Sequence, residues 1–252
     1  MIRWCMYCQK FLGEMAPYAD ASVSHGMCAS CDARLERGEE VHAETESVRA
    51  LLRRVVERAA SGDDAACEQL FAEAQKTGLA IESFLVGMLQ PALYQVGCAW
   101  QNGSLTVVDE HRFTLWCERA FAILPPRKRA ADPLDLLIVQ GVDNTHTLGP
   151  RFAARVLSER GFAVEAIVPT LPLDEIAAVV VARKPRFVGL SCAILDSLPP
   201  TLRLIEELDQ RIAGKWQTRY VLSGFAVRSA ENLANLPSLP IVQLTTDFEF
   251  LS

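Results

Sequence analysis

The sequence predicts a mixed α/β fold: a four-helix bundle cap followed by a doubly wound sheet of five parallel strands, with a small cysteine-held segment in front. Three observations predict it. Two Cys-x-x-Cys pairs lie near the N-terminus, apolar residues recur at helical spacing through the middle of the chain, and short apolar strands alternate with helices after Pro133. We expect domains at 1–43, 44–128 and 129–252.

Composition narrows the classes of function. The chain has 252 residues and a formal net charge of −6, and half of its residues are apolar. The acidic balance argues against a large nucleic-acid footprint, which needs clustered Lys and Arg. The one dense basic run, Arg127–Arg129, follows two prolines and is predicted to be a solvated linker. The longest apolar run, Ile176–Ala182, is far shorter than the ~18 residues of a membrane span. The first residues also lack the apolar region of a signal peptide. We therefore expect a cytoplasmic protein that does not associate with a membrane.

The two cysteine pairs predict a structural zinc site. Nineteen residues separate Cys5-x-x-Cys8 from Cys28-x-x-Cys31, a spacing typical of a four-cysteine zinc ribbon. Four protein ligands leave no open position for catalysis, and His25 could replace one sulfur. The alternative is a redox-active or merely reduced set of cysteines. For this zinc-ribbon-like segment we expect a protein–protein or dimerisation role. The remaining cysteines are expected to be packing residues: Cys67, Cys98, Cys117 and Cys192.

Four helices are predicted for the middle of the chain. The first carries apolar residues at i, i+3, i+4 spacing from Val48 to Val56, and the second ends at Lys76-Thr77-Gly78. The third runs from about Ala80 to Trp100, and the fourth from about Thr106 to Leu124. Together they predict a helical bundle.

Strands and helices alternate from Pro133 onward, which predicts a flavodoxin-like parallel sheet covered on both faces. The predicted strands are Leu134–Gln140, Ala163–Val168, Phe187–Ser191, Tyr220–Ser223 and Ile241–Leu244. The predicted helices are about Gly149–Arg160, Leu173–Arg183, Ser197–Ala213 and Ala226–Asn235. Such sheets bind ligands at the carboxyl ends of their strands.

A histidine lies in the loop after the first of these strands. His146 would project from this edge, and Gly149 would allow close approach of a ligand to the backbone. Small residues end two further strands, at Gly189-Leu190-Ser191 and Ser223-Gly224, where larger side chains would block a long group threading beside the sheet. The alternative is a surface histidine and two ordinary turn serines, because His-x-x-Gly is a weak motif.

A helical bundle followed by these motifs resembles the cobalamin-binding module of methionine synthases and corrinoid proteins. The resemblance implies that His146 is the lower axial cobalt ligand and that Ser191, Ser223 and Gly224 line the displaced nucleotide tail. The family pattern is Asp-x-His-x-x-Gly, whereas this chain has Asn144 at the Asp position. An amide can accept from the imidazole N–H but supplies no negative charge. We expect the neighbouring Asp143 to compensate for the missing carboxylate.

The helical region carries a more specific pattern. Val107, Glu110 and His111 share one helical face, and Trp100 can lean over it from the preceding helix. This pattern resembles the adenosylcobalamin-dependent light sensors of the CarH type. In that family a Trp, nine intervening residues and Glu-His cap the adenosyl group, and the lower-ligand His follows 35 positions after that His. Both spacings recur here, between Trp100 and Glu110 and between His111 and His146.

The resemblance implies a non-enzymatic photoreceptor. Trp100 would stack over the upper face of the cofactor, Glu110 would bond the ribose or adenine, and neutral His111 would take the upper cobalt position after photolysis. We expect a light-dependent homo-oligomer or a protein signalling partner. Direct DNA binding is not expected, because an acidic cysteine segment replaces the family's basic helix-turn-helix domain. The alternatives are a corrinoid methyl carrier and a haem- or bilin-binding sensor on the same fold.

Overall fold

The structure is a computed structural model that describes residues 1–8, 10–15, 22–40, 50, 54, 69, 72–73, 80–125, 132–227, 242–244 and 251. The chain divides into two compact units, Met1–Pro126 and Arg127–Ser252. Four predicted features lie wholly or mainly outside the described residues: the first two cap helices, the basic run 127–129, Cys67 and the helix beyond residue 227. Within the described ranges, no helix is long and apolar enough to cross a membrane.

The first unit begins with a small sheet. Strand β1 (Ile2–Cys5) lies at its centre, antiparallel to β2 (Phe11–Glu14) and parallel to β3 (Val23–Gly26). Helix α1 (Ala29–Glu36) follows, and the Cys28 sulfur caps it by accepting the Cys31 N–H at 3.4 Å. The sequence did not predict these elements, because residues 1–40 lack a regular apolar period.

The helix predicted over Ala80–Trp100 is interrupted. It consists of α2 (Ile81–Phe84), a π-helical turn (Leu85–Leu89) and α3 (Gln90–Gln101). We call this run the Trp100 helix. The π turn contains Gly87, against which the Trp4 ring packs.

Helix α4 (Val107–Ala122) packs against α3. It begins with a capping box: the Thr106 hydroxyl accepts from Asp109 N–H at 3.2 Å, and the Asp109 carboxylate accepts from Thr106 N–H at 3.0 Å. Its buried face repeats at helical spacing through Phe113, Trp116, Cys117 and Ala120. Earlier in this unit the described residues 50, 54, 69 and 72–73 are helical.

The second unit is built on five parallel strands in the order β5-β4-β6-β7-β8. The strands are β4 (Leu136–Gln140), β5 (Val164–Ile167), β6 (Phe187–Ser191), β7 (Arg219–Ser223) and β8 (Val242–Leu244). The helices between them are α5 (Leu148–Glu159), α6 (Leu173–Arg183) and α7 (Leu198–Ile212), and short 3-10 turns lie at Leu195–Ser197 and Phe225–Val227. The parallel sheet confirms the predicted mixed α/β class.

Strands β4, β6 and β7 are buried on both faces of the sheet. Leu137, Val139 and Leu190 lie in one core with the inner faces of α6 and α7. Leu136 and Ile138 point to the other face, where they pack with residues of α5. Successive strand residues alternate between the two faces, so a strand covered on both sides needs an unbroken apolar run. This explains why the apolar sequence Leu-Leu-Ile-Val of β4 could be recognised as a strand.

Candidate functional site

The four paired cysteines converge in the first unit. The sulfurs of Cys5, Cys8, Cys28 and Cys31 all lie within 4.8 Å of one another, and the Cys8 and Cys28 sulfurs are 3.7 Å apart. Tetrahedral zinc with Zn–S bonds of about 2.3 Å would place its sulfurs about 3.8 Å apart. The residues therefore fit a tetrahedral ion. His25 lies in β3 and is not a member of the cluster found among the described residues.

The cysteine environments favour thiolates unequally. Burial opposes ionisation of Cys5, but hydrogen bonds from the backbone N–H groups of Cys8, Cys28 and Tyr7 outweigh it and lower the pKa of Cys5 from 9.0 to about 6. Burial raises the pKa of Cys8, and burial together with the neighbouring thiols raises that of Cys31 to about 12. Four adjacent sulfurs cannot all ionise without a cation between them, and a divalent metal ion would provide that charge.

The second site lies at the carboxyl edge of the sheet. Gln140, Ser191 and Ser223 end their strands side by side, in the register Gln140↔Ser191↔Ser223. Strand β5 lies on one side of β4, and the next strand along the chain, β6, lies on the other side, so the direction of strand order reverses at β4. Open α/β sheets bind ligands in the crevice at such a reversal. The His146 loop starts here.

Asn144 fixes the orientation of the His146 ring. Its Nδ2 donates to the Ser191 carbonyl at 3.0 Å, while its Oδ1 accepts from the His146 backbone N–H at 3.0 Å and lies 3.1 Å from His146 Nδ1. These two backbone partners fix which atom of the amide is oxygen, so Nδ1 must carry the proton. The Nε2 lone pair of the exposed ring then remains available as a metal ligand.

Two buried residues that the sequence analysis missed hold this loop. Gln140 Nε2 donates to the Asn144 carbonyl, and Thr201 Oγ1 accepts from the Val142 N–H at 3.0 Å. Gln140 and Thr201 are 1% and 0% exposed. A glutamine ending a strand and a threonine in a helix are too common for either to have indicated a site. We call Gln140 and Thr201 the loop clamp.

Two buried polar atoms near the loop clamp lack a hydrogen-bond partner among the described residues. They are Gln140 Oε1 and Ser197 Oγ. Leaving such an atom unpaired costs about 1–3 kcal/mol. Ser197 belongs to the same neighbourhood as Thr201, since the Cys192 sulfur lies 3.8 Å from the Ser197 carbonyl and 3.3 Å from Thr201 Oγ1. Unpaired polar atoms at this edge fit a site where a polar ligand supplies the missing partner.

The glycines at this edge of the sheet differ in how closely other atoms surround them. A Cβ on Gly224 would lie 2.0 Å from the Cys192 carbonyl oxygen, and the φ of Gly224 is +115°, so the fold itself requires glycine there. The space beside Gly189 is occupied by Leu136, 3.1 Å from the position of a Cβ. In contrast, no atom of the described residues lies within 4 Å of a Cβ on Gly149, the backbone of its own helix aside. Packing within the described part of the chain therefore does not explain the glycine at this position.

The first unit presents the predicted upper-face residues on its surface. Trp100 and Val107 are 45% and 50% exposed, at the end of α3 and the start of α4. Glu110 joins two neighbours: one carboxylate oxygen lies 2.5 Å from His111 Nδ1, and the other accepts from the Thr114 hydroxyl at 2.8 Å. An ionised carboxylate only accepts, so Nδ1 of His111 is protonated and Nε2 is left free on a side chain that is 71% exposed.

The contacts group the predicted residues into three sets. Asn144, His146 and Ser191 are joined by hydrogen bonds, and Glu110 is paired with His111. The four cysteines form the third set. Ser223 joins the sheet edge through its carbonyl, which accepts from the Cys192 N–H at 2.8 Å. The roles of these residues toward a cofactor remain predictions.

Comparison with known proteins supports cobalamin binding. Residues 51–124 match the family model of the B12 binding domain. These residues cover most of the predicted cap, and the match supports the prediction of a cobalamin-binding protein. No curated protein matches the chain.

Two solved structures match over most of the length of the chain, at low TM-scores. A novel cobalamin-binding protein from Desulfitobacterium hafniense DCB-2 is 21% identical, with 73% of this chain and 87% of that chain covered and a TM-score of 0.36. The methanol:cobalamin methyltransferase complex MtaBC from Methanosarcina barkeri is 9% identical, with 88% of each chain covered and a TM-score of 0.35. Likeness at this level carries no argument about function, which depends here on the family match and the geometry of the sites.

Proposed function

We propose that this protein is a cobalamin-binding light sensor. In this proposal, light cleaves the upper cobalt–carbon bond of adenosylcobalamin and thereby changes the oligomeric state or the binding of a protein partner. The observation that carries the cobalamin assignment is the fixed His146 ring: Asn144 accepts from its Nδ1–H, which leaves Nε2 of this exposed residue available as a ligand. The cofactor would supply a light-sensitive cobalt–carbon bond.

The sheet edge would hold the lower side of the cofactor. His146 would be the lower cobalt ligand, and the open space at Gly149 would admit the macrocycle close to the start of α5. Ser191, Ser223 and Gly224 would line the nucleotide tail. The row of these strand ends at the reversal of strand order supports this assignment.

The exposed residues of the first unit would face the upper ligand. Trp100 would cover the adenosyl group and exclude substrates, while Val107 would add apolar contact. Glu110 orients His111 through Nδ1, which makes its Nε2 a stronger donor than a ring held only by a neutral amide. Thus the histidine proposed for the vacated upper position has a carboxylate partner, and the proposed lower ligand has only Asn144.

We also propose that the four-cysteine cluster holds a structural zinc ion. The supporting observations are the mutual approach of all four sulfurs and a small local core in which three of the four cysteines, Cys5, Cys28 and Cys31, are packed by Tyr7 and Leu12. A segment with so few apolar core residues needs a metal or disulfide to fold stably.

One spectrum tests the sensor proposal. The full chain is reconstituted with adenosylcobalamin in the dark, and its absorption spectrum and elution volume are measured before and after green light. We expect both to change, and His146→Ala to weaken cofactor retention after illumination. Identical spectra and elution volumes would overturn the light-sensor proposal. Turnover of methylcobalamin with a methyltransferase would instead identify a corrinoid carrier, and a Soret band in the purified protein would identify a haem protein.

A further inference from the structure

We propose that the four-cysteine segment is a metal-dependent brace for the Trp100 helix. When zinc fills the cluster, strands β1 and β2 are held against the helix, so the metal state of the cluster controls the stability of the helix that carries Trp100 in its last turn. The brace itself concerns only contacts within the first unit. Its consequence for cofactor binding rests on the proposed function.

The brace is built on close packing at Gly87. A Cβ on this glycine would lie 2.5 Å from Trp4 Cζ2 and 3.0 Å from Phe11 Cδ2, so both rings pack directly on the backbone of the π turn. The two rings also contact each other, with centroids 5.7 Å apart at 60°. Trp4 is only 1% exposed. An aromatic residue this large contributes most of its apolar surface to such an interface.

Polar contacts fix the register of this packing. The Phe11 backbone N–H donates to the Ser83 hydroxyl at 3.4 Å. Further along the helix, Gln90 Nε2 donates to a Glu14 carboxylate oxygen at 3.3 Å and lies 2.8 Å from the Tyr94 hydroxyl. Contacts along β2 therefore follow the helix from Ser83 to Gln90, with the packed glycine between them.

The same strands carry the metal ligands. Cys5 follows Trp4 directly, and Cys8 lies in the turn that leads to Phe11, where Cys5 N–H donates to the Lys10 carbonyl at 2.8 Å. An ion bound by Cys5 and Cys8 would therefore fix the relative positions of the two rings that contact Gly87. Without an ion, the local core consists largely of unlinked thiols. The free energy of metal binding therefore stabilises the folded state of strands β1 and β2 and of the helix that packs on them.

The effect of the brace can reach Trp100 through the helix itself. Trp100 lies thirteen residues beyond Gly87, or about 20 Å at the rise of an α-helix. A helix that loses its packed face opens locally and exchanges its amide protons faster. If the helix also contacts a cofactor, the coupling is reciprocal: zinc strengthens cofactor binding by the same factor by which the cofactor strengthens zinc binding.

Hydrogen exchange of the full chain, without cobalamin, tests the brace. Exchange is followed by mass spectrometry in zinc-loaded protein, after chelation and after zinc is restored. We expect chelation to speed exchange in peptides covering 81–95 by about tenfold or more, reversibly, with peptides from β4, β6 and β7 unchanged. Faster exchange confined to residues 1–36 would overturn the proposal.

A matched glycine pair separates contact from metal binding. Gly87→Ala inserts a Cβ into the Trp4 contact, whereas the Cβ added by Gly97→Ala in the same helix has no neighbour within 4 Å among the described residues, apart from the backbone of the helix itself. We expect both variants to bind zinc, but zinc to protect the helix only in Gly97→Ala. Trp4→Ala removes the contact without a clash, so zinc should fail to protect the helix, as in Gly87→Ala. In Arg3→Ala, at the neighbouring position, zinc should protect the helix as in the wild type. Equal protection by zinc in Trp4→Ala and in the wild type would also overturn the brace.

The outcomes also distinguish the brace from the sensor proposal. Zinc-dependent protection in a chain that binds no adenosylcobalamin would support the brace and count against the proposed function. Light-dependent spectra in a chain whose helix exchanges at the same rate with and without zinc would support the proposed function and count against the brace.

Discussion

Replacement of Thr201 by valine tests whether the loop clamp holds the His146 loop. The side chain is completely buried at the start of α7, and its hydroxyl accepts from the Val142 N–H at 3.0 Å. It also lies 3.3 Å from the Cys192 sulfur. Valine keeps the shape and the β-branch, so helix propensity and packing volume change little. The variant therefore removes the acceptor and little else.

The expected loss follows from the Val142 donor. Leaving a buried N–H without an acceptor costs about 1–3 kcal/mol. Val142 is only half-buried, so water can partly replace the hydroxyl, and the thiol contact with Cys192 is weak. We therefore expect Thr201→Val to lower the free energy of unfolding of the second unit by about 1–2 kcal/mol.

Two measurements on the cobalamin-free chain check this prediction. Urea unfolding gives the loss of stability, and nitrogen NMR of His146 reports whether Nδ1 keeps its proton. Thr201→Ser serves as the control, because it loses a methyl group, worth about 0.8 kcal/mol, but keeps the acceptor and should preserve the His146 tautomer. If Thr201→Val is as stable as the wild type with an unchanged His146 spectrum, Thr201 does not hold the loop.

Three further predictions concern the sites themselves. Gly149→Ala should fold as stably as the wild type, because no described atom outside its own helix lies within 4 Å of the added Cβ, but it should retain cobalamin poorly in equilibrium dialysis. Its control is Gly141→Ala, whose Cβ would meet three atoms within 3.0 Å. This control should lower the free energy of unfolding in urea by about 1–3 kcal/mol. Asn144→Asp places a carboxylate on His146 Nδ1 and should slow cofactor loss after illumination about tenfold, measured by gel filtration. His111→Ala should bind adenosylcobalamin in the dark but, after light, lack the absorption spectrum of two axial imidazoles.

Each of these has a clear contrary result. Unchanged dialysis with Gly149→Ala would remove the argument for ligand approach at that helix start. Faster cofactor loss in Asn144→Asp would show that the amide bond to the Ser191 carbonyl matters more than charge on the ring. A two-imidazole spectrum in His111→Ala would assign the upper position to another residue.

Much of the α/β unit could be predicted from local pattern. The predicted strand Phe187–Ser191 and helix Leu173–Arg183 agree with the structure at both ends, and the other described elements of this unit differ by one or two residues. Burial on both faces produces continuous apolar strands, and strand-ending Gly and Ser mark the loops. The π turn could not be predicted, because its cause is the Trp4 ring packed on Gly87, a contact between positions 83 residues apart.

The reactive groups of this protein could be identified from local spacing along the chain: two thiol pairs that short turns bring together, an imidazole after the first strand of a parallel sheet, and a Glu-His pair on one helix. Each of these depends on only a few residues of backbone. How those groups are held depends on contacts between distant parts of the chain. Thr201 contacts the His146 loop from 59 residues away, and Trp4 of the four-cysteine segment packs on Gly87 of the Trp100 helix from 83 residues away. Such contacts depend on how separate elements pack against each other, and no periodicity in the chain encodes a single buried hydroxyl or one glycine under a tryptophan ring.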